Sequence, residues 1–361
     1  MTATFFAHDL AMPEPHVTRW PDIADHPQAT AWLKIQSDLG LAPRTLDAYG
    51  RALDDFLSVC RRDNTDPDTA GRAEIARYVR HLREQTSQRP RGDALEPATL
   101  SNATIQQRLV AVRLFYDHLV QEGVRQTNPV GRGHYSPGNA FGSRHGLVPH
   151  VVQLPWVPTD EQWRSVLEIA SKEPIRNRFM FALAYDAGLR REELCCLRTD
   201  DLDPAHRTVR VRGETTKTRR GRVVPYSAAT GSLLREYLLH RATLSLSRGP
   251  LFLSESRRNR TAAITLWTWS KVVRKVAVAA GVPHFSTHTL RHLCLTDLAR
   301  SGWELHAIAS FAGHRSISST LRYIHLSGRE LTAQLASGMA QLHERRVASI
   351  TEALVRGELP S

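Results

Sequence analysis

Along the first third of the chain, apolar residues recur with the period of an α-helix. Leu46, Tyr49, Leu53, Phe56, Leu57 and Cys60 share one face of a segment that begins near Arg44. Ile105, Leu109, Val112, Tyr116 and Leu119 share one face of a second segment, entered through Ser101 and Asn102. Steps of three and four bury each set as a single stripe, and Ser and Asn are good caps for a helix N-terminus. Weaker stripes predict helices over 29–37 and 73–84. The pattern therefore predicts a loose tail over 1–25 and a small all-helical domain over 26–130.

The period is lost between residues 128 and 158, a stretch rich in Pro and Gly. We place a linker at 131–157 and a second domain at 158–345. It opens on Thr159-Asp-Glu-Gln162, a capping-box pattern. A helix then runs to about 187 and closes at Gly188. Alternating segments at 208–212 and 222–225 predict a β-hairpin. Helices follow over about 228–240, 263–280 and 287–300, then short ones over 304–311 and 316–323. Leu331, Leu335, Met339 and Leu342 predict a last helix, with a tail at 346–361. The expected fold is mostly α with a small β-hairpin or sheet (α+β).

Composition narrows the function classes. The chain has 361 residues, 41% hydrophobic and 23% charged, enough for two ordinary cores. No run of about 18 apolar residues predicts a membrane span, and the N-terminus is a poor signal peptide. The expected location is cytoplasmic. Cys60, Cys195, Cys196 and Cys294 fit neither a zinc ribbon nor a disulfide framework. Lys and Arg number 48 against 36 Asp and Glu, a net charge of +12, which points to a polyanionic partner.

The chemistry-bearing residues form four groups. Seven basic residues (Arg207, Arg210, Arg212, Lys217, Arg219, Arg220 and Arg222) crowd the hairpin, opposed only by Glu214. Charge at that density suits DNA phosphates, and a hairpin is narrow enough for a groove. In Gly188-Leu-Arg-Arg-Glu-Glu-Leu194, Arg190 sits at a helix start, with Glu193 three residues on to steady its guanidinium. In His288-Thr-Leu-Arg291-His292, His288 and Arg291 share a helix face near its N-terminus, a natural anion site. Gly313-His314 precedes Tyr323 by nine residues (323 − 314). A metal reading of His284, His288 and His292 fails on geometry, because Pro283 and the caps at Ser286 and Thr287 put His284 off the helix. The Asp200, Asp201 and Asp203 cluster reads as a turn rather than a nuclease centre.

Taken in order, Arg190, Lys217, His288, Arg291, His314 and Tyr323 resemble the tyrosine recombinase (phage integrase) family. The resemblance covers about 158–330, and the helical block at about 25–130 is similar in topology to the family's core-binding domain. Thr215-Thr-Lys217-Thr departs from the commoner Gly-Lys-Gly form and matches a Thr-Lys-Thr variant, with Arg219 as the fallback. The resemblance implies a site-specific recombinase of mobile-element type. It would cut and rejoin DNA through a covalent 3′-phosphotyrosine on Tyr323, without metal, ATP or other cofactor. Arg190 and Arg291 would clamp the phosphate and His314 would hydrogen-bond it. Lys217 would protonate the leaving 5′-oxygen, and His288 would accept or orient the Tyr323 proton, with Glu193 and His292 in support. Double-stranded recombination sites are the implied partner, bound by a dimer on each site and a tetramer in synapsis, the C-terminal helix docking on a neighbour. Arg44, Arg51, Arg108 and Arg113, with Arg210, Arg212, Arg219, Arg220 and Arg222, are expected DNA contacts. A type IB topoisomerase and a non-catalytic DNA-binding regulator are the alternatives.

Overall fold

The computed structural model describes residues 19–86, 99–131, 147–148, 155–216, 219–321 and 323. The chain divides into two units, residues 1–152 and 153–361.

The first unit is helical: α1 (Pro21–Ala24), α2 (Pro27–Asp38), α3 (Pro43–Arg62), α4 (Arg72–Glu84) and α5 (Asn102–Gln121). Pro stands in the first turn of α1, α2 and α3, where its missing N–H goes unused. The Ser101 hydroxyl accepts from Thr104 N and opens α5. The long stripes of α3 and α5 face one another, burying Leu53, Phe56, Val112, Phe115 and Tyr116 with Trp32 and Tyr78.

The expected tail over 1–25 takes in residues that belong to this unit. Trp20 and Ile23 are buried in this core, although too few apolar residues precede α2 to show a period. The Trp20 indole lies flat against α3 where Gly50 leaves a gap, and a Cβ at residue 50 would sit 2.5 Å from Trp20 Cζ2.

The second unit begins with α6 (Asp160–Ser171), capped by the reciprocal Thr159–Gln162 pair. Then come α7 (Ile175–Asp186), α8 (Arg191–Cys195), β1 (Leu202–Asp203), β2 (Thr208–Val211) and β3 (Arg222–Pro225). After them lie α9 (Ala228–Leu244), α10 (Leu266–Ala279), α11 (Thr287–Arg300), α12 (Leu305–Ala312) and α13 (Ser318–Leu321). The predicted hairpin is β2–β3, in register Val209↔Val224 and Val211↔Arg222. A third strand, β1, pairs with β2. At two residues it is too short for alternation to reveal, and it follows the turn assigned to the Asp200 cluster. Asp201 itself is buried, accepting from Arg198 N and Arg212 Nε.

Helices α7, α9, α10 and α11 close over a core of Phe179, Leu183, Tyr237, Phe252, Trp269 and Leu290. Cys195 and Cys294 are buried and free, and burial pushes both thiols up to about 12. No helix among the described residues is long and apolar enough to cross a membrane. The segment predicted as a helix from Glu330 lies outside the described residues.

Gly50→Ala separates packing from propensity. Propensity alone favours Ala inside a helix by about 1 kcal/mol. The clash with Trp20 reverses the sign, and we expect a net loss of about 1–3 kcal/mol in urea denaturation of the full chain, partly relieved by Trp20→Leu. A stabilised Gly50→Ala protein would contradict this packing.

Candidate active site

Three pieces of the second unit converge on the buried carboxylate of Glu193. Glu193 sits in the first turn of α8, whose N-cap is Arg190 in extended conformation. Its Oε2 accepts from Arg190 N at 2.9 Å and its Oε1 from Arg190 Nη1 at 2.7 Å. From β3, Arg222 adds Nη1 to Oε1 at 3.1 Å and Nη2 to Oε2 at 2.7 Å. From α11, Arg291 Nη1 lies 4.0 Å from Oε2. Burial pushes the Glu193 carboxyl up, but the Arg222 and Arg190 hydrogen bonds and charges overrule it and hold it at about 2.

The arginines differ in what they leave open. Arg291 is 3% exposed and donates Nη1 to Gly188 O and Nη2 to Ala312 O, both at 2.6 Å. Burial, then the like charge of Arg190, lowers it to about 10, so it stays protonated at neutral pH. Arg190, 23% exposed, is the guanidinium that reaches solvent.

Arg222, expected on the DNA face, turns inward instead. It is 9% exposed and donates Nε to Phe311 O at 2.8 Å. Strand alternation does not reveal this, because the Glu193 it neutralises is remote in sequence. Gly313 is needed beside it twice over. Its φ of +63° suits glycine, and a Cβ there would come within 3.0 Å of Arg222 Nη1.

His314 follows that turn. Arginine only donates, so the 3.0 Å contact from Arg291 Nη2 makes His314 Nε2 an acceptor. The ring proton is then on Nδ1, which donates to Thr320 Oγ1 at 2.8 Å. Burial, then Arg291, Arg190 and Arg222, hold His314 down at about 4, so it is neutral at pH 7. The buried Thr320 that accepts this proton was not among the expected site residues, and no motif spacing marks it.

Tyr323 closes the cluster at 7% exposure. Its ring stacks on His314, centroids 6.0 Å apart at 12°. Its hydroxyl lies 2.9 Å from His292 Nδ1, within hydrogen-bond reach. His288, expected at that hydroxyl, lies one helical turn back and stacks on His292 at 6.1 Å. Partial desolvation, then Arg191, Arg291 and Arg190, lower the His288 pKa. His288 belongs to α11, which starts at Thr287 behind the Ser286 cap, so His284 is off the helix. No group of three His, Cys, Asp or Glu among the described residues has the arrangement to hold a metal ion.

Lys217 lies outside the described residues; its neighbour Thr216 is buried and accepts from Arg220 N at 3.1 Å. The remaining expected DNA contacts divide in two. Arg44, Arg219 and Arg220 are exposed, as is Arg210, 3.5 Å from Asp201. Arg51 is exposed but bonded to Asp47 at 2.7 Å, and Arg113 is half-buried. Arg108 is held at 2.8 Å by both Asp55 and Gln85, and Arg212 by Asp201, Glu214 and Cys196 O. These last two brace their own units rather than offering a free guanidinium.

Three guanidiniums around one carboxylate leave two positive charges beside a buried phenol. That surplus matches the second negative charge that a phosphodiester gains when a nucleophile adds to phosphorus.

Residues 157–330 match the Phage integrase family, and residues 33–126 match its N-terminal SAM-like domain. The tyrosine recombinase XerC of Pelobacter propionicus is 28% identical over 82% of this chain and 89% of that protein. The tyrosine recombinase XerC of a Roseiflexus species is 28% identical over 83% of this chain and 89% of that protein. Among solved structures, the Tn1549 transposon integrase in complex with transposon right end DNA superposes with a TM-score of 0.63. It has 17% identity and covers 84% of this chain and 96% of that one.

Two predictions follow from the Glu193 and His314 environments. Arg222→Leu removes the main partner of a buried carboxylate and should destabilise the chain by about 3–5 kcal/mol. Arg220→Leu, at an exposed position, should change stability by no more than about 0.5 kcal/mol; equal effects in chemical denaturation would contradict the network.

His314 titrates at about 4 when folded, against 6.5 ordinarily. Between those values the unfolded chain binds more protons, so this contribution to stability is complete above about pH 6.5. It is lost as pH falls towards 4. The melting temperature of the wild-type chain should fall across that window more steeply than that of His314→Gln. Parallel curves would rule the linkage out.

Proposed function

We propose that this chain, which belongs to the phage integrase (tyrosine recombinase) family, cuts and rejoins double-stranded DNA at specific sites through a 3′-phosphotyrosine on Tyr323. The observation that carries the reading is the double positive surplus of the Arg190–Arg222–Arg291–Glu193 cluster against a buried, hydrogen-bonded tyrosine hydroxyl.

On this reading the phosphate enters from the side where Arg190 is open. Arg190 and Arg291 stabilise the non-bridging oxygens as charge builds on them. Arg222 and Glu193 act behind them, since Arg222 neutralises the carboxylate that would otherwise absorb the Arg190 charge. His314 orients Arg291 through Nε2 and packs the nucleophile's ring. Lys217 supplies the proton to the leaving 5′-oxygen. Tyr323 Oη forms a bond to phosphorus as the P–O5′ bond breaks, and the phosphotyrosine keeps the bond energy for rejoining. Ionising a phenol of pKa about 10 at neutral pH costs roughly 4 kcal/mol, which nearby cations and a proton acceptor offset.

The helical first unit, matching the family's SAM-like domain, binds the same duplex, with Arg44 as a phosphate contact. A dimer on each site and a tetramer joining two sites fit a reaction that exchanges four strands. The finer reading is a recombinase that moves a mobile element. It predicts copies of the target site at both ends of the DNA segment that carries the gene.

The chemistry is tested without knowing the site. The wild-type chain is mixed with random-sequence duplexes in EDTA, and DNA that survives denaturation on the protein is recovered and amplified. We expect an enriched duplex bound through its 3′-phosphate. Tyr323→Phe should bind that duplex with unchanged affinity yet give no adduct on a denaturing gel. An adduct in the Phe variant would sink the assignment.

A further inference from the structure

We infer that His292, through Nδ1, is the base that takes the Tyr323 proton during strand cleavage and returns it during rejoining. The inference rests on the recombinase reading above and adds a residue to its chemistry.

The geometry separates the imidazoles. His314 is excluded as a base toward Tyr323, because Arg291 fills its Nε2 and its Nδ1 proton goes to Thr320. Its ring lies almost parallel to the phenol, presenting a face rather than a nitrogen to the hydroxyl. His288 stacks on His292 and so stands one ring away from Oη. His292 Nδ1 is 2.9 Å from the hydroxyl, within reach for direct proton transfer. Its ring is tilted 37° to the phenol, centroids 5.5 Å apart.

A neutral imidazole whose Nδ1 lone pair faces the hydroxyl can accept its proton. Among the described residues, the rings in contact with His292 include Tyr323 and His288, one turn back on α11, and His314 stacks on the same phenol. α11 also carries the clamp. One rigid helix therefore places Arg291 against the phosphate site and His292 against the nucleophile, two adjacent residues serving opposite partners of the same bond-forming step.

The step balances. As Tyr323 Oη bonds to phosphorus, its proton passes to His292 Nδ1, and the imidazole becomes imidazolium. The P–O5′ bond breaks and the 5′-oxygen leaves with the proton of Lys217. Rejoining runs the same transfers backwards.

The test uses the full chain and the duplex recovered by covalent capture. The duplex is made in two forms, one with the natural 5′-bridging oxygen and one with sulfur there. A thiolate leaves without a proton, so the sulfur form bypasses the general acid but still needs the nucleophile's base. His292→Asn should lose about 10²-fold or more in the rate of adduct formation on both forms, whereas Lys217→Ala should recover on sulfur. His288→Asn should slow the reaction while keeping the wild-type shape of its pH profile; His292→Asn should replace it with a rate that climbs toward the phenol pKa.

Adduct formation by His292→Asn within a few-fold of wild type overturns the inference, as does recovery on the sulfur duplex. If His292→Asn shows no cooperative melt, the wild-type profile on the sulfur duplex decides. A plateau above one ionisation in the histidine range supports the inference, and a rate still rising towards about pH 10, the phenol pKa, overturns it. If the wild-type chain captures no DNA at all, the recombinase reading fails first and this inference falls with it.

Discussion

Three arginines of the second unit are arranged around the Glu193 carboxylate. A buried carboxylate is costly unless paired and hydrogen-bonded. Here it collects the N-cap amide and guanidinium of Arg190 together with both terminal nitrogens of Arg222. Those bonds tie the start of α8 to β3. Arg222 extends the chain to Phe311 O at the end of α12, and Arg291 joins α11 to Ala312 O and Gly188 O. The turn that carries His314 is thus fixed from two sides. One negative charge locates three positive ones, and the arginines cannot drift without leaving it uncompensated.

The sequence makes some of this legible and not the rest, for identifiable reasons. Long amphipathic stripes and caps are local, so α3, α5 and α6 fall where the periodicity and the Ser101 and Thr159 caps place them. α1 and β1 are four and two residues long, too short for any period. The ordered motifs bring Arg190, Glu193, Arg291, His314 and Tyr323 to one cluster because each lies on or beside an element with its own local signal. What local signals do not carry is the direction of a side chain across the fold. Arg222 looked like one more hairpin cation until the structure turned it onto Glu193. His292 and His288 looked alike, and only the position of the chain returning at Tyr323 distinguishes them.

The basic surface needs the same distinction. A net charge of +12 counts every Lys and Arg equally, but the arginines are not equally free. Arg108, Arg212 and Arg222 satisfy buried or half-buried acceptors, and their removal would act first on stability. Arg219 and Arg220 are exposed, and there a change acts on long-range attraction to a polyanion and weakens with salt.

On the proposed chemistry, the like charges around Glu193 favour a reacting phosphate. In the free protein the positive surplus strains its own members. Arg291 is drawn down to about 10 and His314 to about 4, each by burial and by its cationic neighbours. On the proposed chemistry a phosphodiester relieves that repulsion with one negative charge. The state in which Tyr323 has begun to bond to phosphorus relieves it with a second. An environment already organised for two negative charges, and held by buried bonds that need not rearrange, stabilises the later state more than the earlier one. On this chemistry, the like-charge repulsions of the empty site are the same interactions that lower the barrier. Arg222 governs how large they are, because it decides how much of the surplus Glu193 absorbs.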